Sequence, residues 1–150
     1  MERNRLDKID HIGIAVKSLS EAIPIWTALL GRNVSGEEEV PAEMVRVAFF
    51  GDGPGRVELL EPTEPDSPIA RHLEKRGAGI HHVCLSVPDL DIALVRAEDA
   101  GLEALPPRIR TGAGGNRVAF FHPRAAGGVL IELIEAADAA QSSPSGSGLL

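Results

Sequence analysis

The sequence His-Ile-Gly-Ile-Ala-Val at positions 11–16 returns at positions 82–87 as His-Val-Cys-Leu-Ser-Val. In each copy a histidine begins a period-two alternation. The face that carries the histidine continues with small residues, and the opposite face is aliphatic. This alternation is typical of a half-buried β-strand. We therefore expect two related strands, each of which offers one imidazole to a space that small side chains keep open.

Two further segments repeat in the same order. Arg-Val-Ala-Phe-Phe occurs at 46–50 and again at 117–121, which is the same offset of 71 positions that separates the two histidines. Val-Glu-Leu-Leu-Glu at 57–61 matches Ile-Glu-Leu-Ile-Glu at 131–135 at an offset of 74, with the extra residues in the loop 122–128. Because independent segments agree on one order, the sequence predicts a duplicated structural unit.

Each copy also contains a helix followed by a hairpin. Ser18 or Ser20 is a candidate cap for a helix that ends at Gly31, and Asp89 for one that ends at Gly101. A short helix that begins near Pro68 and ends near residue 76 connects the copies. We predict an α+β fold in which two tandem βαβββ modules, about 5–65 and 78–136, form one curved, incompletely closed eight-stranded sheet around a cavity.

The composition limits the class of protein. One hundred and fifty residues are enough for a single domain, which we place at 5–136, and the Ala/Ser/Gly/Pro-rich segment 137–150 is predicted to be a disordered tail. A net charge of −7 and only 3% aromatic residues disfavour nucleic-acid binding. The single Cys84 excludes an internal disulfide and fits a reducing compartment. Without a membrane span or a signal-like start, we expect a cytoplasmic protein with no membrane partner.

The repeat suggests a metal site. Duplicated units usually pack about a pseudo-twofold axis, so that His11 and Glu58 would face His82 and Glu132. Two imidazoles and two carboxylates suit a divalent ion such as Co, Mn, Ni, Zn, Fe or Mg, among which the sequence does not distinguish. The alternative is that each histidine is a satisfied structural residue. The shared register and the two glutamates among aliphatic residues, where an unpaired charge would be costly, favour the metal site.

Neighbouring candidates fit other roles. His81 has the opposite parity to His82 and should point away from the site, and His72 is expected to be exposed on its helix. Cys84 lies on the histidine face without an evident activating base, so we interpret it as a small filler. The glycine-rich run 112–115 precedes a strand rather than a helix, which favours a flexible loop over a phosphate-binding loop.

With these motifs in place, the chain resembles the methylmalonyl-CoA epimerases of the vicinal oxygen chelate superfamily, to which glyoxalase I and extradiol dioxygenases also belong. The resemblance covers about 6–135. It implies a homodimer, an acyl-CoA substrate and metal ligation by the four residues above, although some members carry Gln in place of Glu58. The segments that carry it are 10–16, 57–62, 66–70, 79–83, 114–123 and 128–133.

The resemblance implies a reaction, the interconversion of (R)- and (S)-methylmalonyl-CoA by removal and return of the C2 proton. Inversion needs an acid-base group on each face of the planar enolate. Glu132 is our candidate for the first group, and Glu43 or Glu58 for the second. The family often has Pro-Glu-Gln-Gly leading into the second strand, where this chain has Pro-Ala-Glu-Met at 41–44, so the carboxylate of Glu43 is shifted by one position.

Other functions remain open. A glyoxalase I-type isomerase would use the same four ligand positions, and a metal-free small-molecule binding protein would need none of them. An extradiol dioxygenase is disfavoured by a fourth ligand at Glu58. If the substrate is an anionic acyl-CoA, local positive charge must attract it to an acidic protein. The candidates for that charge are the arginines of the second module, Arg108, Arg110, Arg117 and Arg124.

Overall fold

The computed structural model describes residues 9–111 and 115–136. These residues form two compact units. The first is His11–His81, and the second contains Asp10 together with the described residues from His82 onward. Three predictions fall partly or wholly on residues that are not described: the beginning of the first module, most of the run 112–115 and the tail 137–150.

The first unit follows the predicted βαβββ order. Its strands have the order β2-β3-β4-β1, in which β1 is parallel to β4, and β3 is antiparallel to both β2 and β4. The acidic run 37–39 lies in β2, where exposed charges protect an edge strand from pairing with other chains. The elements are β1 (Ile9–Ala15), α1 (Leu19–Leu30), β2 (Gly36–Val40), β3 (Val45–Phe50), β4 (Arg56–Pro62) and the connecting helix α2 (Pro68–Arg76).

The second unit repeats this arrangement. Its strands have the order β5-β8-β7-β6, with β5 parallel to β8, and β7 antiparallel to β8 and β6. The succession of two βαβββ modules that the sequence predicts is therefore confirmed. The elements are β5 (Gly79–Val87), α3 (Leu90–Asp99), β6 (Arg110–Thr111), β7 (Arg117–Phe121) and β8 (Leu130–Glu135).

The helices begin at side chains that accept hydrogen bonds from otherwise unsatisfied backbone amides. The Ser18 hydroxyl accepts from the amide of Glu21 at 3.3 Å, and the Asp89 carboxylate accepts from that of Ile92 at 3.0 Å. Of the two predicted caps for α1, Ser18 is the one used. Gly31 ends α1 in the left-handed conformation at φ 65°, which glycine adopts without strain. Among the helices of the described residues, each is too short or too polar to cross a membrane.

In each module the aliphatic residues lie on one face of the sheet and the histidine on the other, as the alternation predicts. In the first unit, Leu19 and Ala22 of α1 pack with Phe50 and Leu59 of the sheet. In the second unit, Leu90 and Leu94 of α3 pack with Ala119 and Phe121. The helices thus cover the aliphatic face, which leaves the opposite face of each module to the histidines.

Truncation of this helix-covered core should destabilise the fold. Leu94 is fully buried, so Leu94→Ala should lower the free energy of unfolding by about 2–5 kcal/mol through lost burial and the cavity left behind. The adjacent Val95 is 50% exposed on the same helix, and Val95→Ala should change it by no more than about 0.5 kcal/mol. Urea unfolding of both variants measures the difference, and equal losses would contradict this packing.

Candidate functional site

The first unit buries a histidine and a glutamate on one face. In the parallel pairing of β1 with β4, Glu58 lies opposite Gly13, two residues after His11. Alternate residues of a strand share a face, so the His11 and Glu58 side chains project to the same side. Both are fully buried, and His11 Nε2 lies 3.5 Å from Glu58 Oε2.

The second unit repeats this register. In the parallel pairing of β5 with β8, Glu132 lies opposite Cys84, again two residues after the histidine. His82 is fully buried and Glu132 is 1% exposed, with 3.8 Å between His82 Nε2 and Glu132 Oε2. The duplication therefore extends from the sequence to the relative placement of the two candidate side chains within each module.

An arginine that sequence reasoning missed joins the first pair. Arg56 lies opposite His11 in the strand register and is only 7% exposed. Its Nε donates to Glu58 Oε1 at 3.0 Å, and its Nη2 donates to His11 Nδ1 at 3.3 Å. A guanidinium has no acceptor, so Nδ1 accepts and the neutral His11 ring carries its proton on Nε2. The shared parity of Arg56 and Glu58 on β4 is the sequence signal that could have revealed it.

The donors of each unit fit a divalent ion. Two ligand atoms that each lie about 2.0–2.2 Å from one ion are separated by about 3–3.6 Å at bond angles of 90–109°. The distance between His11 Nε2 and Glu58 Oε2 falls within this range, and the distance between His82 Nε2 and Glu132 Oε2 is slightly longer. Arg56 donates its hydrogen bond to Oε1 of Glu58. The other oxygen, Oε2, lies on the side of His11 and is the atom that would bind an ion together with His11. An ion that binds His11 through Nε2 would displace the proton there, since ligands bind metal in their deprotonated form.

A phenylalanine lies opposite the glutamate in the strand register of both modules. Phe49 lies opposite Glu58, and Phe120 lies opposite Glu132, at equivalent positions of the repeat. Cys84 is fully buried in a cluster with Val118, in agreement with its interpretation as a small filler. Both carboxylates are buried, and charges interact more strongly in a protein interior than in water.

Glu43, the candidate second acid-base residue, lies on a constrained turn. It ends the short 3-10 helix Pro41–Glu43, and one of its carboxylate oxygens, Oε2, is buried. The next residue, Met44, has φ 54°, a left-handed conformation that is uncommon for a residue other than glycine. The Met44 amide donates to the Pro41 carbonyl at 3.1 Å, and the Thr63 amide donates to the Met44 carbonyl at 2.9 Å. Backbone hydrogen bonds on both sides thus hold the turn that carries Glu43.

His81 and His72 form a separate aromatic contact. Their rings meet edge-to-face with centroids 5.0 Å apart, so the expectation that His72 is exposed is wrong: it is half-buried against His81. Burial and, to a smaller extent, the neighbouring His72 lower the pKa of His81 to about 4. His81 is therefore neutral at physiological pH and packs against α2.

Three of the four candidate arginines donate hydrogen bonds to neighbouring residues of the second unit. Arg117 donates to Asp91 and Glu135, and its hydrogen bond lowers the pKa of the Asp91 carboxyl. Arg108 donates to Glu98 in the same way. Arg110 donates to the carbonyl of residue 106 and lies over the ring of residue 120. These contacts reduce the capacity of these three guanidinium groups to attract an anion.

Comparison with known proteins gives consistent matches over most of the chain. Residues 10–120 match the family model of the glyoxalase/bleomycin resistance protein/dioxygenase superfamily. The mitochondrial methylmalonyl-CoA epimerase of Homo sapiens is 37% identical over 132 residues, which cover 87% of this chain and 75% of the human protein.

Solved structures agree with the same family. The crystal structure of methylmalonyl-CoA epimerase from Mycobacterium tuberculosis has a TM-score of 0.78 at 34% identity and covers 95% of this chain and 97% of its own. A methylmalonyl-CoA epimerase in complex with methylmalonyl-CoA and NH4+ has a TM-score of 0.75 at 35% identity, covering 89% and 96%. The predicted fold class and family resemblance are confirmed, and the chain belongs to the glyoxalase/bleomycin resistance protein/dioxygenase superfamily.

Proposed function

We propose that this protein is a methylmalonyl-CoA epimerase that depends on a divalent metal ion. The observation that carries the proposal is the similarity to methylmalonyl-CoA epimerases over most of the chain, one of which is solved with methylmalonyl-CoA. The buried histidine and glutamate at one register in both modules support it, because they offer the donors that such a site needs.

In this proposal His11, Glu58, His82 and Glu132 hold the ion. When bound, a divalent ion supplies positive charge where negative charge develops on the thioester oxygen. Arg56 orients Glu58 by holding Oε1, so that Oε2 is available on the side of His11. The identity of the metal stays open, since nitrogen and oxygen donors suit several divalent ions.

The chain's own carboxylates would move the proton. Glu132 takes the proton from C2 of the substrate, and the electron pair of the C–H bond delocalises into the thioester carbonyl. Glu43 then delivers a proton to the opposite face of the planar carbon, which inverts the centre. Glu43 suits this role better than Glu58, because Arg56 already holds Oε1 of Glu58 and the proposal uses Glu58 as a ligand. The buried Oε2 of Glu43 also disfavours its alternative role as a solvated edge residue.

Two expectations stay predictions. The superfamily resemblance implies a homodimer, and Ile25 and Leu29, which are 59% and 70% exposed one turn apart on α1, offer apolar surface for self-association. Sedimentation velocity at micromolar concentration would detect a dimer, and a monomer mass would reject it. The cytoplasmic location likewise rests on the sequence.

The reaction can be tested by incubation of the protein with (S)-methylmalonyl-CoA in deuterated water. We expect one deuterium at C2 by mass spectrometry and formation of the (R) isomer, because the removed proton exchanges with solvent before return. The hemithioacetal of glutathione and a catechol are run in parallel. Turnover of the hemithioacetal without exchange in methylmalonyl-CoA would instead identify a glyoxalase I-type isomerase, and turnover of none would favour a binding protein.

The metal site can be tested by removal of one of two adjacent histidines. His82→Ala should strongly reduce the metal content measured by elemental analysis, because it removes a buried donor. His81→Ala is the matched control and should retain the metal, because His81 packs against His72. Equal loss from both variants would mean that the parity argument is wrong.

The two acid-base roles can be separated by measuring exchange of the C2 proton and inversion of the C2 centre independently. Glu132→Gln should lower epimerisation by about two orders of magnitude or more, the usual contribution of a general base. Glu135→Gln, at the end of the same strand, is the control and should retain activity. Glu43→Gln should still exchange the C2 proton of one isomer while it fails to invert the centre. Unchanged epimerisation in that variant would reject Glu43 and transfer the second role to Glu58 or water.

A further inference from the structure

The hydrogen bond between Arg56 and His11 reverses the usual arrangement around a metal-binding histidine. A histidine that binds a metal commonly donates the N–H of its other ring nitrogen to a carboxylate, a carbonyl or water. Here the partner of His11 Nδ1 is a guanidinium nitrogen, Arg56 Nη2, at 3.3 Å. A guanidinium has only donors, so Nδ1 supplies the lone pair. The contact therefore favours the tautomer with its proton on Nε2, the nitrogen on the side of Glu58.

A metal-bound His11 requires a different arrangement of this proton. The usual ligand is a neutral imidazole, which offers one lone pair to the ion and carries one proton on the other nitrogen. If Nε2 binds the ion, the proton lies on Nδ1, and this N–H faces an N–H of Arg56, so that neither has an acceptor. If Nδ1 binds the ion instead, Arg56 must leave that lone pair. In both cases the contact of Arg56 with His11 and an ion on His11 exclude each other.

The second contact of Arg56 has no such conflict. Its Nε donates to Glu58 Oε1 at 3.0 Å, and Oε2 is the oxygen on the side of His11. An ion on Oε2 leaves Oε1 available as an acceptor, because both oxygens of a carboxylate carry lone pairs. Rotation about the outer bonds of the arginine side chain moves Nη2 while Nε stays near Oε1. Arg56 can thus release the histidine and still pair with the carboxylate.

Burial makes the exchange of partners significant. His11 and Glu58 are fully buried and Arg56 is 7% exposed, so water does not readily replace a hydrogen bond that is broken there. The residue opposite His82 at the equivalent register is Leu130, whose side chain has no hydrogen-bond donor. The two histidines therefore differ at this position, although their modules repeat.

We propose that Arg56 is a positioning residue that competes with the metal ion for His11. Arg56 holds the ring in the tautomer with the proton on Nε2, and the ion binds only when Nη2 leaves Nδ1. The proton that leaves Nε2 is balanced by one that binds Nδ1, so the ring stays neutral and the guanidinium stays charged. The proposal rests on the proposed function, which supplies the divalent ion. Its consequence is that the hydrogen bond to His11 weakens metal binding, whereas the one to Glu58 persists.

Nitrogen NMR of the histidine rings tests the proposal on the unmodified protein. After removal of metal with a chelator, His11 should carry its proton on Nε2, and a His11→Gln variant assigns its signals. After addition of Zn²⁺, which is diamagnetic, the proton should lie on Nδ1, while the Nε–H of Arg56 should remain hydrogen-bonded. A proton on Nδ1 before the addition of zinc, or a Nδ1 without a proton afterwards, would overturn the proposal.

The affinity for Zn²⁺ separates competition from simple support of the ligand. Arg56→Lys keeps a positive charge beside Glu58 but removes the planar fork that reaches both partners. We expect it to bind zinc about tenfold more tightly in competition with a zinc indicator, because one opposing hydrogen bond is gone. If Arg56 only supported His11, the variant should bind zinc about 10–100-fold more weakly.

Arg46→Lys is the matched control for this measurement. Arg46 is exposed on β3 opposite Glu61, on the other face of the sheet from His11, so its replacement should leave the zinc affinity unchanged. An unchanged or weaker affinity of Arg56→Lys, or the same gain in the control, would overturn the proposal.

Epimerisation measured on the same samples separates this proposal from the proposed function. Zinc binding with the expected transfer of the proton but without epimerisation would reject the proposed function alone. Epimerisation by a metal-loaded protein in which His11 Nδ1 has no proton would reject the competition alone. A protein that binds no divalent ion would reject both.

Discussion

The parallel pairing of each histidine strand with the last strand of its own module is the constraint on which the candidate site depends. It places a glutamate opposite the second residue after the histidine, in β1 with β4 and again in β5 with β8. A slip of one residue would turn the carboxylate to the helix-covered face, where aliphatic residues pack. The apolar packing of the helices therefore fixes the register, and the register places the polar donors.

The two modules share this register but differ in how the first donor pair is held. Arg56 lies opposite His11, and the equivalent position opposite His82 is Leu130. A buried carboxylate is costly unless it is paired, and the guanidinium of Arg56 offsets the charge of Glu58. The pair of His82 and Glu132 lacks an arginine at that register. This difference gives a physical reason to assign orientation to the first glutamate and proton transfer to the second.

Much of the fold, and the presence of a histidine and a glutamate at one register of each module, could be predicted because both are periodic. Alternation located the histidine strands, capping residues located the helices, and the offset of 71 joined them into modules. Arg56 was missed because it breaks the repeat, and a comparison of the two copies discards such residues. The burial of His72 was missed because it depends on a contact between a helix and a strand that local pattern does not contain.

The proposed function requires one ion that takes an imidazole and a carboxylate from each module. X-ray absorption spectroscopy of the cobalt-loaded protein, combined with its metal-to-protein ratio, tests this most directly. We expect one ion per chain, with nitrogen and oxygen ligands that include two imidazoles. Two ions per chain with one imidazole each, or a sulfur ligand from Cys84, would contradict it.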